Sequence, residues 1–313
     1  MKPKISFVVV ARNDNYGGDF NQKVQVFTNV LLALCVKHQL RAELVVVEWN
    51  PPENKGRLGR AIKWETHPDY YQVRIIVVPP KLHKTFAYSE RVPLYEFIGK
   101  NVGIRRAKGN YILATNPDII FSEELIEWMA RNLLEYRTYY RATRYDVDSP
   151  IPPFNSLQGV LGYCHSHVVK INTYEDSDKS LGFYFDKLLW KLKHPMYDRP
   201  FTNASGDFLL MDRKCWHDLA GYLELIGADS HGRFLIDGMI LFTALYSGFQ
   251  EVRLADPLRI YHMEHERQSG IMPYSNKVEK QYSVLEHGGK DIKRNGDNWG
   301  LGTIELPEVI IDG

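Results

Sequence analysis

The sequence predicts an open α/β fold in which a mainly parallel sheet is flanked by helices. Three observations support this prediction. Valine-rich apolar runs recur between residues 5 and 114, segments with helical spacing separate them, and polar residues follow each run. Such runs are typical of strands buried on both faces of a parallel sheet, and their alternation with helices indicates right-handed βαβ units.

Four strands are predicted in the first half of the chain, at residues 5–11, 44–47, 73–78 and 111–114. Helices are expected to follow the first, third and fourth of them, beginning near Phe20, Pro93 and Ser122. In open α/β sheets, ligands bind outside the carboxyl ends of the strands. We therefore expect the polar residues that follow these strands to converge on one site, which would contain residues 12–14, 48–50 and 116–118.

The second half is predicted to be less regular. Residues 141–203 are rich in aromatic residues, prolines and polar turns, with one helix around residues 183–192. Beyond them we expect a short strand at 207–211, followed by a helix that Asp212 caps. An apolar helix at 235–246 and a last strand at 252–261 complete this half. We predict one domain over residues 1–265, made of two halves (1–140 and 141–265), and a tail or lid over residues 266–313.

The composition is that of a globular protein. Hydrophobic residues make up 44% of the chain, and 39 basic residues face 38 acidic ones. This balance gives no electrostatic reason to expect a nucleic-acid partner. The cysteines Cys35, Cys164 and Cys215 have no spacing typical of a disulfide framework or a zinc ribbon. No run approaches the roughly 20 apolar residues that span a bilayer. We therefore expect a cytoplasmic protein whose membrane contact, if any, is peripheral.

The most informative polar segment is Asn116-Pro117-Asp118, which directly follows the fourth strand. A carboxylate beside a side-chain amide offers the oxygen ligands that Mg²⁺ or Mn²⁺ prefers. The alternative is a simple turn, because asparagine, proline and aspartate are all common in turns. The sequence leaves both interpretations open.

Two further groups are candidates for chemistry. Asp237 is a carboxylate within an apolar helix, where an ionised group is costly unless it has a partner such as Arg233 or a catalytic task. His262 follows the last strand and is a candidate metal ligand, with a hydrogen-bonded histidine as the alternative. His265 lies three residues further on, and for it we favour the structural interpretation.

In the order and spacing of these segments the chain resembles glycosyltransferases of the GT-A fold, particularly family 2-like enzymes. The resemblance covers about residues 4–265. Its motifs are the strand ends at residues 11–14 and Glu48, the stretch from Asn101 to Ile112, the turn at residues 116–118, and the segment at residues 205–208. Asp237 and His262 complete the ordered set. No one of these motifs is decisive by itself.

The resemblance implies a role for each matched residue. The donor nucleotide-sugar, which would be a UDP-sugar, is expected to contact the residues of the first half, namely Ala11, Arg12, Asn13, Glu48, Asn101, Arg105 and Asn116. Asp118 and His262 would hold Mn²⁺ or Mg²⁺, and Asp237 would be the catalytic base. Gly206 and Asp207 would contact a saccharide or another hydroxyl acceptor.

The chain departs from the family pattern at two positions. Asn116 stands where the family has the first acid of its metal motif, and Ile236 precedes Asp237 where a glutamate is typical. Two other functions therefore stay open at this point. One is a sugar-nucleotide nucleotidylyltransferase, although Gly17-Gly18 is a poor match to the glycine-rich loop of that class. The other is a saccharide-binding domain without catalytic activity.

Overall fold

The computed structural model describes residues 1–14, 18–172, 188–192, 198–224, 233–265, 285 and 292–311. Their strands are, in chain order, β1 (Ile5–Ala11), β2 (Ala42–Trp49), β3 (Tyr71–Val78), β4 (Tyr111–Thr115), β5 (Ile119–Phe121), β6 (Thr138–Val147), β7 (Val168–Asn172), β8 (Phe208–Asp212), β9 (Gln250–Met263) and β10 (Glu308–Ile311).

The helices of the described residues are α1 (Phe20–Lys37), α2 (Leu58–Ala61), α3 (Pro80–His83), α4 (Glu96–Arg106), α5 (Glu123–Arg131), α6 (Leu157–Ser166), α7 (Arg213–Leu219) and α8 (Arg233–Tyr246), with a 3₁₀ turn at Trp299–Leu301. Two predicted helix caps are confirmed. The hydroxyl of Ser122 accepts from the backbone N–H of Leu125 at the start of α5, and the carboxylate of Asp212 accepts from that of Lys214 at the start of α7.

The strands form one sheet in the order β10-β3-β2-β1-β4-β8-β6-β9-β5, with β7 paired to β6. The four central strands of the first half, β3, β2, β1 and β4, are all parallel. The predicted fold class, an open α/β sheet with a parallel first half and a less regular second half, is confirmed. Because these strands are parallel, their carboxyl ends lie along one edge of the sheet.

Helices cover both faces of the parallel half, which explains why its strands read as continuous apolar runs. Alternate residues of β1 belong to two different cores. Phe7 and Val9 pack in the core beneath α1, whereas Val8 and Val10 pack in the core beneath α4. The approach of α4 is close: a Cβ atom added to Gly103 would lie 2.5 Å from Cγ1 of Val8.

The second half is more regular than predicted. One helix, at residues 183–192, was the regular element predicted for the segment 141–203, but the segment also contains most of β6, all of β7 and the helix α6. The long strand β6 lies inside the sheet, antiparallel to β8 and parallel to β9. Its sequence alternates arginine, tyrosine and aspartate rather than apolar residues, so no apolar run marked it as a buried strand. Of the predicted helix at 183–192, residues 188–192 are helical and the others lie outside the described residues.

The segment after residue 265 is described only in part. Residues 266–284 and 286–291 lie outside the described residues, whereas β10 pairs antiparallel with β3 at the edge of the parallel half. Arg74 of β3 forms ion pairs with residues of both neighbouring strands, β2 and β10. Its guanidinium contacts Glu43 at 2.8 Å and Glu308 at 2.6 Å.

None of the helices that the structure describes combines the length and apolar character needed to cross a membrane. The three cysteines, Cys35, Cys164 and Cys215, are buried and free. Burial raises the pKa of the Cys215 thiol to about 11, which makes it a poor nucleophile at neutral pH.

Candidate active site

Asp118 and His262 are brought together by the pairing of β5 with β9. Ile119 lies opposite His262 in this antiparallel pair, and the backbone N–H of Met263 donates to the carbonyl of Asp118 at 2.9 Å. Oδ2 of Asp118 is 3.6 Å from Nε2 of His262. It is 3.2 Å from Nε2 of His265. One carboxylate and two imidazoles therefore meet at the carboxyl edge of the sheet.

These three side chains fit a divalent metal ion. Ligands that each lie about 2.1 Å from one ion are about 3.0–3.5 Å apart, which matches the separations between Asp118 and the two histidines. Oδ1 of Asp118 is buried and has no hydrogen-bond partner among the described residues, so it has unused capacity as a ligand. Oxygen ligands suit Mg²⁺ and Mn²⁺, and imidazole suits transition metals, so the mixed set is compatible with several divalent ions.

Electrostatics in this cluster also suit a cation. Burial would raise the pKa of Asp118, but its contacts with His262 and His265 hold that pKa well below the usual value. Burial would lower the pKa of His262, but contact with Asp118 and Asp146 raises it to about 10. Carboxylates that attract protons to neighbouring imidazoles attract a metal ion for the same reason, because either positive charge offsets theirs.

A second layer of charged groups lies behind His262. Nδ1 of His262 is 3.2 Å from Oδ1 of Asp146. Arg144 contacts Asp146 at 2.8 Å and Asp207 at 2.7 Å, and the amide of Asn116 donates to Asp207 at 2.8 Å. These contacts form a continuous chain from the metal ligands to Asp207. The carboxylate of Asp207 contacts Arg144 and Asn116, and its contact with an acceptor stays a prediction.

Asp237 lies at the other end of this chain of contacts. Its Oδ2 accepts from the backbone N–H of Gly206 at 2.9 Å, and the carbonyl of Gly206 accepts from the ammonium of Lys100 at 2.8 Å. Asp237 is 8% exposed and Lys100 is fully buried. The predicted pair Gly206-Asp207 therefore connects the two clusters, one residue to each.

Burial raises the pKa of Asp237 to about 7, and the charge of Glu96 acts in the same direction. The charges of Lys100 and Arg141 oppose this rise. A carboxylate whose pKa lies near neutral pH holds and releases a proton readily under physiological conditions, which suits a general base. The predicted arginine partner of Asp237 was Arg233, whose side chain lies outside the described residues.

The polar side chains that follow β1 and that end β2 form hydrogen bonds with other residues of the chain. Ala11 ends β1 and is buried, and the guanidinium of Arg12 donates to the carbonyl of Asn50. The amide of Asn13 donates to the carbonyl of Gly56. The carboxylate of Glu48 accepts from Arg57 at 2.6 Å and from the backbone of Leu58 at 2.7 Å. These residues lie at the expected edge of the sheet, where their contacts to a nucleotide stay a prediction.

Asn101 and Arg105 form hydrogen bonds with other parts of the chain, and their contact with the nucleotide stays a prediction. Asn101 is fully buried, and its amide group forms hydrogen bonds with the backbone of Tyr222 and the carboxylate of Glu224. Arg105 lies near the end of α4, at the edge where the parallel strands begin, and donates to the carbonyls of Asp297 and Trp299. Both residues hold loops against α4.

Sequence reasoning missed three groups in the two clusters. It favoured a structural role for His265, although the His-x-x-His spacing of residues 262–265 was a usable signal once Asp118 was considered with it. It gave no role to Asp146, because β6 was not predicted as a strand. Lys100 directly precedes the motif that begins at Asn101, and it was given no role because a helical lysine is ordinarily expected to face solvent.

No protein-family model matches the sequence, and no curated protein matches it. Among solved structures, S. aureus TarS in complex with UDP-GlcNAc is similar to this chain with a TM-score of 0.47 and 12% identity, covering 90% of this chain and 66% of that one. A mutant of Drosophila β-1,4-galactosyltransferase 7 in complex with manganese, UDP-Gal and xylobiose has a TM-score of 0.42 and 13% identity, covering 88% of this chain and 79% of that one. Both superpositions are loose.

Proposed function

We propose that this protein is a metal-dependent glycosyltransferase that moves a sugar from a UDP-sugar to a hydroxyl group of a saccharide or another acceptor. One observation carries the proposal. A carboxylate–histidine–histidine cluster suited to Mn²⁺ is joined, through side-chain contacts and the backbone of Gly206-Asp207, to a buried carboxylate whose pKa is near 7. A metal-binding group and a general base are the two groups that this transfer needs.

In this proposal Asp118, His262 and His265 hold the ion. When bound, the ion would neutralise charge that develops on the diphosphate leaving group. His262 lies in β9 and Asp118 in the turn between β4 and β5, so the sheet fixes their mutual positions, and His265 follows two residues after the end of β9. A rigid set of this kind costs little reorganisation during the reaction.

Asp237 is the proposed base. The acceptor oxygen forms a bond to the anomeric carbon of the donor, and the bond from that carbon to the diphosphate oxygen breaks, with its electron pair leaving on the diphosphate. The proton of the acceptor hydroxyl passes to the carboxylate of Asp237. The backbone N–H groups of Gly206 and Gly238 donate to Oδ2 and Oδ1 of Asp237, each at 2.9 Å, and together they fix the orientation of the carboxylate.

The proposal is tested with a panel of UDP- and GDP-sugars, measuring hydrolysis and binding with and without Mn²⁺. We expect at least one UDP-sugar to be bound and slowly hydrolysed in the presence of Mn²⁺. The variant Asp118→Ala should lose about 10³-fold in rate, since a metal ion supplies several kcal/mol of charge stabilisation. The matched control Asp69→Ala removes an exposed carboxylate far from the site and should leave the rate unchanged.

Three outcomes would contradict different parts of the proposal. If no nucleotide-sugar binds or turns over, the chain is not a glycosyltransferase, and a saccharide-binding domain without activity becomes the better hypothesis. If turnover occurs equally without metal and in Asp118→Ala, the glycosyltransferase stands and the metal centre is wrong. Formation of a nucleotide-sugar from a nucleoside triphosphate and a sugar phosphate would favour the nucleotidylyltransferase.

A further inference from the structure

We infer that Asp146 is a positioning residue of the metal centre, which orients His262 so that its Nε2 atom faces Asp118. His262 lies between two carboxylates, with Nε2 toward Asp118 and Nδ1 toward Asp146. A neutral imidazole has one N–H and one lone pair, and the group that accepts from the N–H decides which nitrogen keeps the lone pair. Nδ1 of His262 and Oδ1 of Asp146 are 3.2 Å apart but do not have hydrogen-bond geometry in the present ring orientation. A small rotation of the ring that makes this hydrogen bond places the N–H on Nδ1 and leaves Nε2 free to bind a metal.

The inference rests on the metal centre of the proposed function, and it has to exclude a second arrangement. Asp146, His262 and Glu264 also bring their ligand atoms close enough together to hold an ion. In that arrangement Asp146 would be a ligand rather than a positioning residue. The two arrangements use opposite nitrogens of His262, so one imidazole cannot serve both with its single lone pair.

The surroundings of the two carboxylates distinguish the arrangements. Asp146 already has a cation, because Nε of Arg144 is 2.8 Å from its Oδ1. Its Oδ2 accepts from the amide of Asn172 at 2.8 Å. A guanidinium at this distance repels a metal ion from the same oxygen. Oδ1 of Asp118 and Oδ1 of Asp146 are both buried without a hydrogen-bond partner among the described residues, but only the oxygen of Asp146 has a guanidinium in ion-pair contact with it. The ion is therefore expected beside Asp118.

The sheet fixes Asp146 in this position. Asp146 of β6 is the register partner of His262 in the parallel pair with β9, so the two side chains lie on the same face of the sheet. Asp146 is 1% exposed, and its carboxylate is therefore shielded from water that would compete for the N–H of His262. Carboxylates that accept from a metal-binding histidine in this way fix both its ring orientation and its tautomer.

The test is direct binding of Mn²⁺ to the full chain, measured by calorimetry and by the electron paramagnetic resonance signal of free Mn²⁺. We expect Asp146→Asn to weaken Mn²⁺ binding by about 10- to 100-fold. An asparagine offers its N–H₂ group where the carboxylate offered an oxygen, which moves the N–H of His262 to Nε2. Pulsed resonance should then show nitrogen coupling from two histidines in the unmodified chain and from one in Asp146→Asn.

Glu264→Gln is the control that separates the two arrangements. If the ion lies beside Asp118, this variant binds Mn²⁺ within about twofold of the unmodified chain. If Glu264→Gln weakens binding as much as Asp146→Asn, the ion lies at the second arrangement and the inference is wrong. Unchanged affinity and unchanged nitrogen coupling in Asp146→Asn would overturn the inference while leaving the proposed function intact. No Mn²⁺ binding by the unmodified chain would overturn both.

A second variant covers the case in which Asp146→Asn does not fold, since that change leaves the charge of Arg144 less well compensated. Asn172→Ala keeps Asp146 and Arg144 but removes one hydrogen bond that fixes the carboxylate. We expect it to fold and to weaken Mn²⁺ binding by about threefold to tenfold, on the scale of one lost hydrogen bond. Asn172→Ala with the affinity of the unmodified chain would count against the inference.

Discussion

The two halves of the sheet are stabilised in different ways. The parallel half, β3-β2-β1-β4, is built from apolar strands covered by helices on both faces, and its valines and leucines divide between two cores. The second half contains charged side chains within its central strand, because β6 buries Arg141 and Asp146 and half-buries Arg144. Apolar burial is non-directional, whereas a buried charge needs specific partners. The second half therefore gains positional precision at the cost of tolerance to substitution.

The polar residues of the two halves also have different tasks. In the parallel half, Asn101 and Glu48 use their side chains to hold neighbouring loops and helix starts. In the second half, Asp146, Asp207 and Asp237 form the contacts that connect the two candidate catalytic clusters. The comparison predicts that substitution of Asn101 affects mainly stability, whereas substitution of Asp146, Asp207 or Asp237 affects chemistry as well.

The largest effect is expected for the candidate base. Asp237→Asn should lower the rate of glycosyl transfer by about 10²- to 10⁴-fold, because an amide does not accept the proton of the acceptor hydroxyl. Binding of the donor, measured by calorimetry, should stay within about twofold. Asp218→Asn, an exposed change on α7, is the matched control. A rate for Asp237→Asn equal to that of the control would remove Asp237 from the chemistry and weaken the contrast between the halves.

A difference in stability is expected next. Arg141 donates to the carbonyls of Phe201, Asn203 and Phe208 from a fully buried position. Arg141→Met leaves these carbonyls without their donor, and we expect a loss of about 3 kcal/mol in the free energy of unfolding. The matched change in the parallel half is Leu44→Met, which should cost less than about 1.5 kcal/mol. Urea unfolding of both variants measures the difference, and equal costs would contradict the comparison.

A smaller effect is expected for the polar scaffold of the first half. Asn101→Ala removes three hydrogen bonds, to the backbone of Tyr222 and to Glu224. We expect it to lower the free energy of unfolding by about 2 kcal/mol while KM for the donor changes less than about twofold. If KM instead rises tenfold or more without loss of stability, Asn101 contacts the nucleotide after all, and the structural assignment is wrong.

Per pH unit, the smallest change in the free energy of unfolding is the one that the titration of Asp237 produces. Its folded pKa of about 7 lies above the ordinary value of 3.8, so the folded state keeps a proton that the unfolded state releases between these pH values. Stability must therefore fall as pH rises from about 4 to about 7, and this contribution is constant above that window. The groups that face Asp237 are Glu96, Lys100, Arg141 and Tyr222.

Asp237→Asn removes this dependence and provides the measurement. The stability of the unmodified chain relative to the variant should fall by at most about 1.4 kcal/mol per pH unit between pH 4 and pH 7. It should then level off, and the same pH series should show transfer increasing as Asp237 loses its proton. A relative stability that does not change across this range would show that the carboxylate is ionised throughout, with an ordinary pKa.

The sequence predicted the parallel half well because its signals are local. The apolar runs of β1 and β3 and the cap at Ser122 can each be identified from a few neighbouring residues. Asp118 and His262 were predicted as metal ligands from their positions after strands, and the structure brings them together. Their role as ligands stays a prediction.

The features that were not predicted from the sequence depend on contacts between residues that are far apart along the chain. The strand β6 has no apolar run, and its charged residues are accommodated only because β8 and β9 supply partners on either side. Asp146 could not be assigned without the register that places it opposite His262. The motif from Asn101 to Ile112 was assigned to the nucleotide by resemblance. Its glycines instead admit close packing, since a Cβ atom on Gly109 would lie 2.6 Å from the backbone nitrogen of Ser6.

The pairing of β10 with β3 has a consequence for how the chain folds during synthesis. The parallel half is complete in sequence by residue 115, whereas its outer edge at β3 pairs, among the residues that the structure describes, with residues 308–311. A ribosome adds about 5–20 residues per second, so this edge remains uncovered for on the order of ten seconds or more after the half has emerged. During that interval its unpaired backbone groups are open to other strands. Association with chaperones on the ribosome is therefore expected to concentrate on β3 until β10 has been made.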